Sequence, residues 1–221
     1  MKLFIIHNIA DQIRKANIEQ QFSNQIVQPG YEIIPAIMDY DCARCGISKS
    51  HRLCIQKAKD QGLPWVMIAE DDLTFLNHNS LGMFMIMFYK FRDYAELNNV
   101  EWNMFMSSVY EGDLDPQVHE PVYEQSGKLS WGNMEVCRVE GKISGLTLYV
   151  VNQNFYDRFL IADEQINIDY EVSVTYKAKI FCISPFVCIQ GNFPSANLNN
   201  MEEINGRLGL KYKLIQKEPE I

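Results

Sequence analysis

The chain has 221 residues, 47% hydrophobic and 22% charged. That balance excludes a disordered, collagen-like or coiled-coil protein, and the length suits one sizeable domain that needs no disulfide or metal merely to hold its core. Twenty Lys and Arg against twenty-eight Asp and Glu leave a formal charge of −8, which argues against a general nucleic-acid binder.

The opening MKLFIIHNIADQIRK predicts a strand over Leu3–His7 and a polar helix over Ala10–Phe22. It lacks the apolar core and cleavage site of a signal peptide. The longest apolar run, LGMFMIMFYKF at 81–91, is broken by Lys90 and falls short of the ~20 residues of a membrane span. A mature, soluble, cytoplasmic protein with no transmembrane segment is expected. Tyr31–Ile37 is a second strand, with Pro35 marking an edge. Ile47, His51, Cys54, Ile55 and Ala58 form the best helical stripe in the chain; Ser48 is the expected cap, and Gly62-Leu63-Pro64 ends the helix. Trp65–Ala69 is a buried strand, 79–97 a Met-rich helix and Trp102–Ser108 a further strand. This β-α-β-α-β-α-β order predicts an α/β fold with a mostly parallel sheet flanked by helices.

Residues 110–142 carry turn formers and charges and read as an irregular insertion. Beyond them, Gly145–Val151, Lys179–Ile183 and Phe186–Gln190 are predicted strands, and Asn152 caps a short helix. Six cysteines in a chain with this much core are expected to be reduced and mostly buried. Cys42, Cys45, His51 and Cys54 come near a zinc-knuckle spacing without matching it.

The sharpest chemical signal is Glu70-Asp71-Asp72, directly after the WVMIA strand. Ligands of open α/β sheets bind beyond the carboxyl ends of strands. Alternation along an extended chain points Glu70 and Asp72 one way and Asp71 the other. Two such carboxylates can share a hard cation such as Mg²⁺ or Mn²⁺ with substrate phosphates. The plain alternative is a solvated acidic turn. Arg44, Lys49, Arg52, Lys57 and Lys59 run without an acid among them; they read as a solvated helix face, with Arg44 and Lys49 near enough to the helix start to meet a diphosphate. Tyr123 and Trp131, in the irregular stretch, are aromatic faces on which a sugar could stack. His51 lies on the apolar stripe, where packing alone would also explain it.

The stretch CGISKSHRLCIQKAKDQGLPWVMIAEDDLTF resembles glycosyltransferase family 25, the lipopolysaccharide-biosynthesis type, through Gly46, Ser50, His51 and Glu70-Asp71-Asp72. The opening segment with Arg14, the segment Gly145-Leu146-Thr147-Leu148-Tyr149, and a late stretch with Asp169, Pro185, Gln190 and Ser195 are similar to further parts of that family. The resemblance implies a GT-A-like (Rossmann-like) fold in a single domain over 1–221. Within it, 1–108 would form the nucleotide-sugar-binding half and 109–221 the acceptor-side half. It implies inverting transfer of a hexose from a nucleotide-sugar donor, commonly a UDP-sugar, to a glycan or other hydroxyl acceptor, assisted by Mn²⁺ or Mg²⁺. Carried over, Asp72 is the metal ligand, Glu70 its helper, and Asp71 a contact to the ribose or the metal's water shell. Ser50, His51, Arg44 and Lys49 attend the donor, and Tyr123, Trp131, Gln190 and Ser195 lie on the acceptor side. Asp169 is the candidate base, with Glu171 and Asp113 as alternatives. No His follows His119, and Gln190 or Asn192 would be poor late metal ligands. Two other readings stay open. One is a degenerate member that only binds a nucleotide or glycan; the other is a Mg²⁺-dependent nucleotidyltransferase or phosphohydrolase, which no Gly-rich phosphate loop supports.

Overall fold

A computed structural model of the chain describes residues 1–111, 119–124, 127–191 and 193. Strand β1 (Lys2–His7) leads into helix α1 (Gln12–Ser23), and β2 (Tyr31–Pro35) into α2 (Ala43–Asp60). Strand β3 (Trp65–Glu70) and the short β4 (Leu73–Phe75) precede α3 (Ser80–Leu97) and β5 (Met104–Met106). The alternation expected through residue 108 is therefore present, with β4 added directly after the acidic tripeptide.

The middle of the chain holds β6 (Tyr110–Glu111), β7 (His119–Pro121), β8 (Tyr123–Glu124), β9 (Gly127–Lys128), β10 (Ser130–Trp131) and β11 (Met134–Val139). Then follow β12 (Ile143–Ser144), β13 (Leu148–Asn152), α4 (Tyr156–Leu160), α5 (Ile168–Tyr170), β14 (Ile180–Ser184) and β15 (Cys188–Gln190).

Nine strands form one sheet in the order β10-β11-β14-β5-β13-β3-β1-β2, with β7 also paired to β11. Strands β2, β1 and β3 are mutually parallel, as are β5 and β14. Strand β13 runs antiparallel between β3 and β5, and β11 antiparallel beside β14. Seven of the nine strands thus share one direction, and only β13 and β11 oppose it. This is an α/β architecture with a large mixed, mostly parallel sheet, compatible with a Rossmann-like GT-A fold. One expectation needs correcting. The 110–142 stretch is not wholly an insertion, because Met134–Val139 is a six-residue strand of the main sheet with Met134, Val136, Cys137 and Val139 buried.

Helices cover both faces of the sheet. The face bearing Phe4, Ile6, Val66 and Ile68 packs on Cys54, Ile55 and Ala58 of α2. This is the stripe read from the sequence. The opposite face packs on α3, where Phe91 meets Phe105 at 5.1 Å and Phe181 at 4.5 Å between ring centroids. Helix α2 begins at Ala43, not at Ser48; Ser48 is fully buried within it and makes no cap. Gly46 is needed where α2 meets the preceding loop, since a Cβ there would lie 2.5 Å from the Ile37 carbonyl. No helix among the described residues is long and apolar enough to cross a membrane.

The cysteines also correct an expectation. Cys42 is the residue preceding α2 and Cys45 lies one turn on, with Cα atoms 5.2 Å apart, and the two form a disulfide. That separation lies within the range a disulfide spans, and the bond takes two of the four zinc-knuckle candidates. Cys54, Cys137, Cys182 and Cys188 are free and buried, as expected. Thiol titration of the denatured chain should therefore find four reactive thiols without reductant and six after reduction; six from the outset would refute the bond.

Candidate functional site

The acidic tripeptide sits where the sequence suggested, at the carboxyl end of β3. Strand pairing ends at Glu70, and the chain turns through Asp71 and Asp72 into β4. Glu70 and Asp71 point to opposite faces, as alternation requires. Past the strand end Asp72 lies between the two: Arg14 Nη1 is 2.5 Å from Asp71 Oδ1 and 3.4 Å from Asp72 Oδ2, while the Glu70 charge also bears on Asp72.

Asp71 is saturated. Beside the Arg14 bond, its Oδ2 lies 2.8 Å from His7 Nδ1 and accepts the Asn8 backbone N–H at 3.3 Å. Helix α1 brings these groups in. Asp11 caps it by accepting from Ile13 and Arg14 N–H groups. Arg14, Asn17 and Gln21 then line one face at i, i+3 and i+7. The Asn17 amide donates to the carbonyls of Asp71 and Leu73, and the Gln21 amide oxygen accepts from the Phe75 N–H. The expected ribose or water-shell contact through Asp71 would need one of these bonds to break.

Asp72 is in the opposite state. It is 5% exposed; the Gln190 amide donates to its Oδ2 at 3.0 Å, while its Oδ1 is buried with no partner. Burial, and the nearby Glu70 charge after it, push its pKa up to about 7. Gln190 arrives through the antiparallel β4–β15 ribbon, in which it pairs with Leu73, and the Gly191 N–H donates to the Asp72 carbonyl at 2.6 Å. The structure thus puts Gln190 against the acidic end itself.

Glu70 faces α2. Its Oε1 lies 3.1 Å from His51 Nε2, and His51 Nδ1 lies 2.6 Å from the Tyr149 hydroxyl on β13. Ser50 is structural here: its hydroxyl donates to the Gly46 carbonyl and accepts from the Ile37 N–H. Asp169 is half-buried, accepting from the Gly145 N–H at 3.1 Å and the Tyr170 N–H at 2.8 Å. Burial raises its pKa against the lowering effect of these two bonds. Glu171 is buried and occupied by the Asp163 N–H and the Thr175 hydroxyl.

Other expected residues stand apart. Lys49 pairs with Asp39 at 3.0 Å and Glu164 at 3.5 Å. Arg52, Lys57 and Lys59 are paired with Glu164, Glu32 and Asp157 and stay partly exposed, so the basic run is a solvated face that carries ion pairs. Arg44 is exposed on the first turn of α2. Trp131 lies on β10, five strands from β3, or roughly 24 Å at a spacing of about 4.8 Å. Tyr123 is exposed, and its carbonyl accepts from the Tyr94 hydroxyl of α3. The structure does not bring either aromatic to the acidic end. Asp113, Asn192 and Ser195 lie outside the described residues. Sequence reading missed His7, and it named Tyr149 only as part of the family-like segment without giving it a role. His7 ends β1, the strand beside β3, and the same strand-end rule would have found it.

Fit to a divalent cation turns on free oxygens. Asp71 offers none, Asp72 offers Oδ1, and Glu70 is engaged through Oε1 alone. Two carboxylates suit a Mg²⁺ or Mn²⁺ ion that takes its other ligands from phosphates and water. Among the described residues, no three His, Cys, Asp or Glu are gathered as a metal cage.

No family profile and no curated protein matches the chain. Among solved structures it is similar to A197 from STIV, at 12% identity, TM-score 0.48, covering 90% of this chain and 98% of that one. It is also similar to a glycosyltransferase involved in the glycosylation of the major capsid of PBCV-1, at 10% identity, TM-score 0.41, covering 95% of this chain and 100% of that one. Likeness at this distance concerns the arrangement of strands and helices, so the functional reading rests on the chain's own side chains.

Neighbouring carboxylates in such different surroundings should respond oppositely to neutralisation. Asp72 has a folded pKa above its unfolded value of 3.8. Its contribution to stability is therefore undiminished below about pH 4 and is lost as pH rises toward 7. Asp72→Asn should raise stability at pH 8 by on the order of 1–3 kcal/mol and flatten the profile between pH 4 and 7. Asp71→Asn should instead destabilise by about 1.5–3 kcal/mol, because it strips the partner from a charged hydrogen bond. Urea unfolding of both variants checks this, and shifts of the same sign would contradict the assignment.

Proposed function

We propose that this chain transfers a hexose from a nucleoside diphosphate sugar, a UDP-sugar in the first instance, to a hydroxyl of a glycan-type acceptor with inversion. The observation that carries the reading is Asp72: a carboxylate buried at a strand's carboxyl end, with one oxygen unpartnered and its charge under-compensated. A fold has no stability reason to keep such a group, whereas a site for a cationic or hydrogen-bonding ligand does. The family 25 resemblance of Ser50-His51 and Glu70-Asp71-Asp72 supports the same reading.

Asp72 and Glu70 would hold the divalent cation, whose chemistry when bound is Lewis-acid stabilisation of charge on the departing diphosphate. The chain's own residues do the rest. Arg14 neutralises Asp71 and part of Asp72, which lowers the repulsion a diphosphate meets on approach. Asp169 takes the acceptor hydroxyl proton. Burial makes it a stronger base than a free carboxylate, and two backbone N–H groups fix its orientation. The engagement of Asp71 by Arg14, His7 and the Asn8 N–H favours one second reading, a protein that binds the nucleotide or glycan without turnover.

Two variants test this. Asp72→Asn should fold and lose the Mn²⁺-dependent gain in UDP affinity measured by calorimetry, together with turnover. Equal affinity and metal dependence in both proteins would sink the metal site. Asp169→Asn should cut transfer by about 10²–10⁴-fold while UDP binding is kept. Near-normal transfer removes Asp169 from the role, and tight UDP binding by a wild type that turns over no donor selects the binding-only reading.

A further inference from the structure

On the α2 face, three side chains form a hydrogen-bonded line leading inward from the acidic end: Glu70 Oε1 to His51 Nε2 at 3.1 Å, and His51 Nδ1 to the Tyr149 hydroxyl at 2.6 Å. They come from β3, α2 and β13. Tyr149 is fully buried and His51 is 1% exposed, while the Glu70 side chain keeps 22% of its surface open.

The protons along this line follow from the partners. Among the described residues the Tyr149 hydroxyl meets only His51, and burial keeps the phenol protonated. Its one proton is satisfied only by donation to Nδ1. A neutral imidazole that accepts at Nδ1 carries its own proton on Nε2, and that N–H points at the Glu70 carboxylate. The other tautomer would set a bare Nε2 lone pair against an anionic oxygen and leave the phenol proton without an acceptor, in a place no water reaches. Such orphaned groups are costly when buried.

We propose that Tyr149, acting through His51, is the residue that positions Glu70. By fixing the His51 tautomer it pins Oε1 and leaves the second carboxylate oxygen turned to the ligand. This rests on the reading of Glu70 as part of the donor site. Tyr149 touches no ligand in this scheme and is a positioning residue. A purely structural network would keep the same packing without any need for a chosen tautomer.

The test is built on Tyr149→Phe, which keeps the ring and removes the hydroxyl. Nitrogen-15 NMR of the His51 ring at pH ~8.5, where imidazole is neutral, should show the Nε2–H form in the wild type. In the variant, where Glu70 alone still favours that form, a share of the Nδ1–H form should appear beside it. The same tautomer in both proteins overturns the proposal. The second measurement is UDP affinity in the presence of Mn²⁺. Tyr149→Phe should weaken it by about 3–10-fold, the worth of one hydrogen bond. In a His51→Gln background the same change should cost less than about 2-fold, because the amide donates to Glu70 whatever its neighbour does. Equal losses in the two backgrounds make Tyr149 a packing residue and overturn the proposal. A tautomer that switches as expected in a protein that binds no UDP sinks the donor-site reading and leaves the positioning of Glu70 standing.

Discussion

A buried carboxylate left unpaired costs stability, and Asp71 avoids that cost with contributions from two places. The end of β1 supplies His7 and the Asn8 N–H, and α1 supplies Arg14. Helix α1 depends on this more than most helices depend on one ion pair. Only Ile18 and Phe22 are buried along its length, and Ile13 is 74% exposed, so apolar burial fixes it weakly. Its seat comes instead from Arg14, Asn17 and Gln21, all directed at the segment from Asp71 to Phe75. The same segment carries β4, whose pairing with β15 delivers Gln190 to Asp72. The anchoring of Asp71 therefore precedes, in the physical sense, the placing of everything on that side of the site.

Three consecutive carboxylates cannot all be compensated by one guanidinium. Among the described residues Arg14 is the only Lys or Arg paired with the tripeptide, and it lies closer to Asp71 than to Asp72. Glu70, turned to the other face, receives only a hydrogen bond from a neutral-capable imidazole. The surplus negative charge is thus concentrated on Asp72 and Glu70, and burial denies Asp72 the solvent that would otherwise screen it. Stability is given up at one residue of the three and secured at its neighbour. Sites that bind charged ligands show this distribution, because pre-arranged but unmet charge is what a ligand completes.

Much of the fold was legible because local rules governed it. Apolar runs of strand length, the stripe Ile47-His51-Cys54-Ile55-Ala58 and the Gly-Leu-Pro stop located β3 and α2 to within a few residues. The acidic end of β3 was legible because a strand-end position needs no knowledge of neighbours. What was missed depended on strand order. The sequence MEVCRV carries two charges inside a turn-rich stretch, and only its place beside β14 makes it a sheet strand. The expectation that Tyr123 and Trp131 attend the site took chain position for spatial position, and the sheet order puts β10 at the far edge. The polar stripe on α1 escaped because helix reading looks for apolar faces. The disulfide escaped because composition argued for reduced thiols, whereas geometry at the start of α2 decides the matter.

Strand β13 explains why residues beyond 140 reach a site laid down before residue 75. It enters the sheet antiparallel, against β3, with Leu148 opposite Ala69 and Tyr149 opposite Ile68. Its first residues therefore lie at the carboxyl end of β3, and the Glu70 N–H donates to the Thr147 carbonyl at 3.0 Å. Gly145, just ahead, takes φ +79°, a conformation glycine adopts freely and other residues reach at a cost. That turn aims its N–H at Asp169. Both Tyr149 and Asp169 thus owe their places to one register. A slip of a single residue would send Tyr149 to the opposite face, away from His51, and would carry the Gly145 N–H away from Asp169 in the same movement. The coupling between the two groups on the α2 face is set by the backbone pairing of β13 with β3, so a change that loosens that pairing should disturb Glu70 and Asp169 together before it disturbs Asp71.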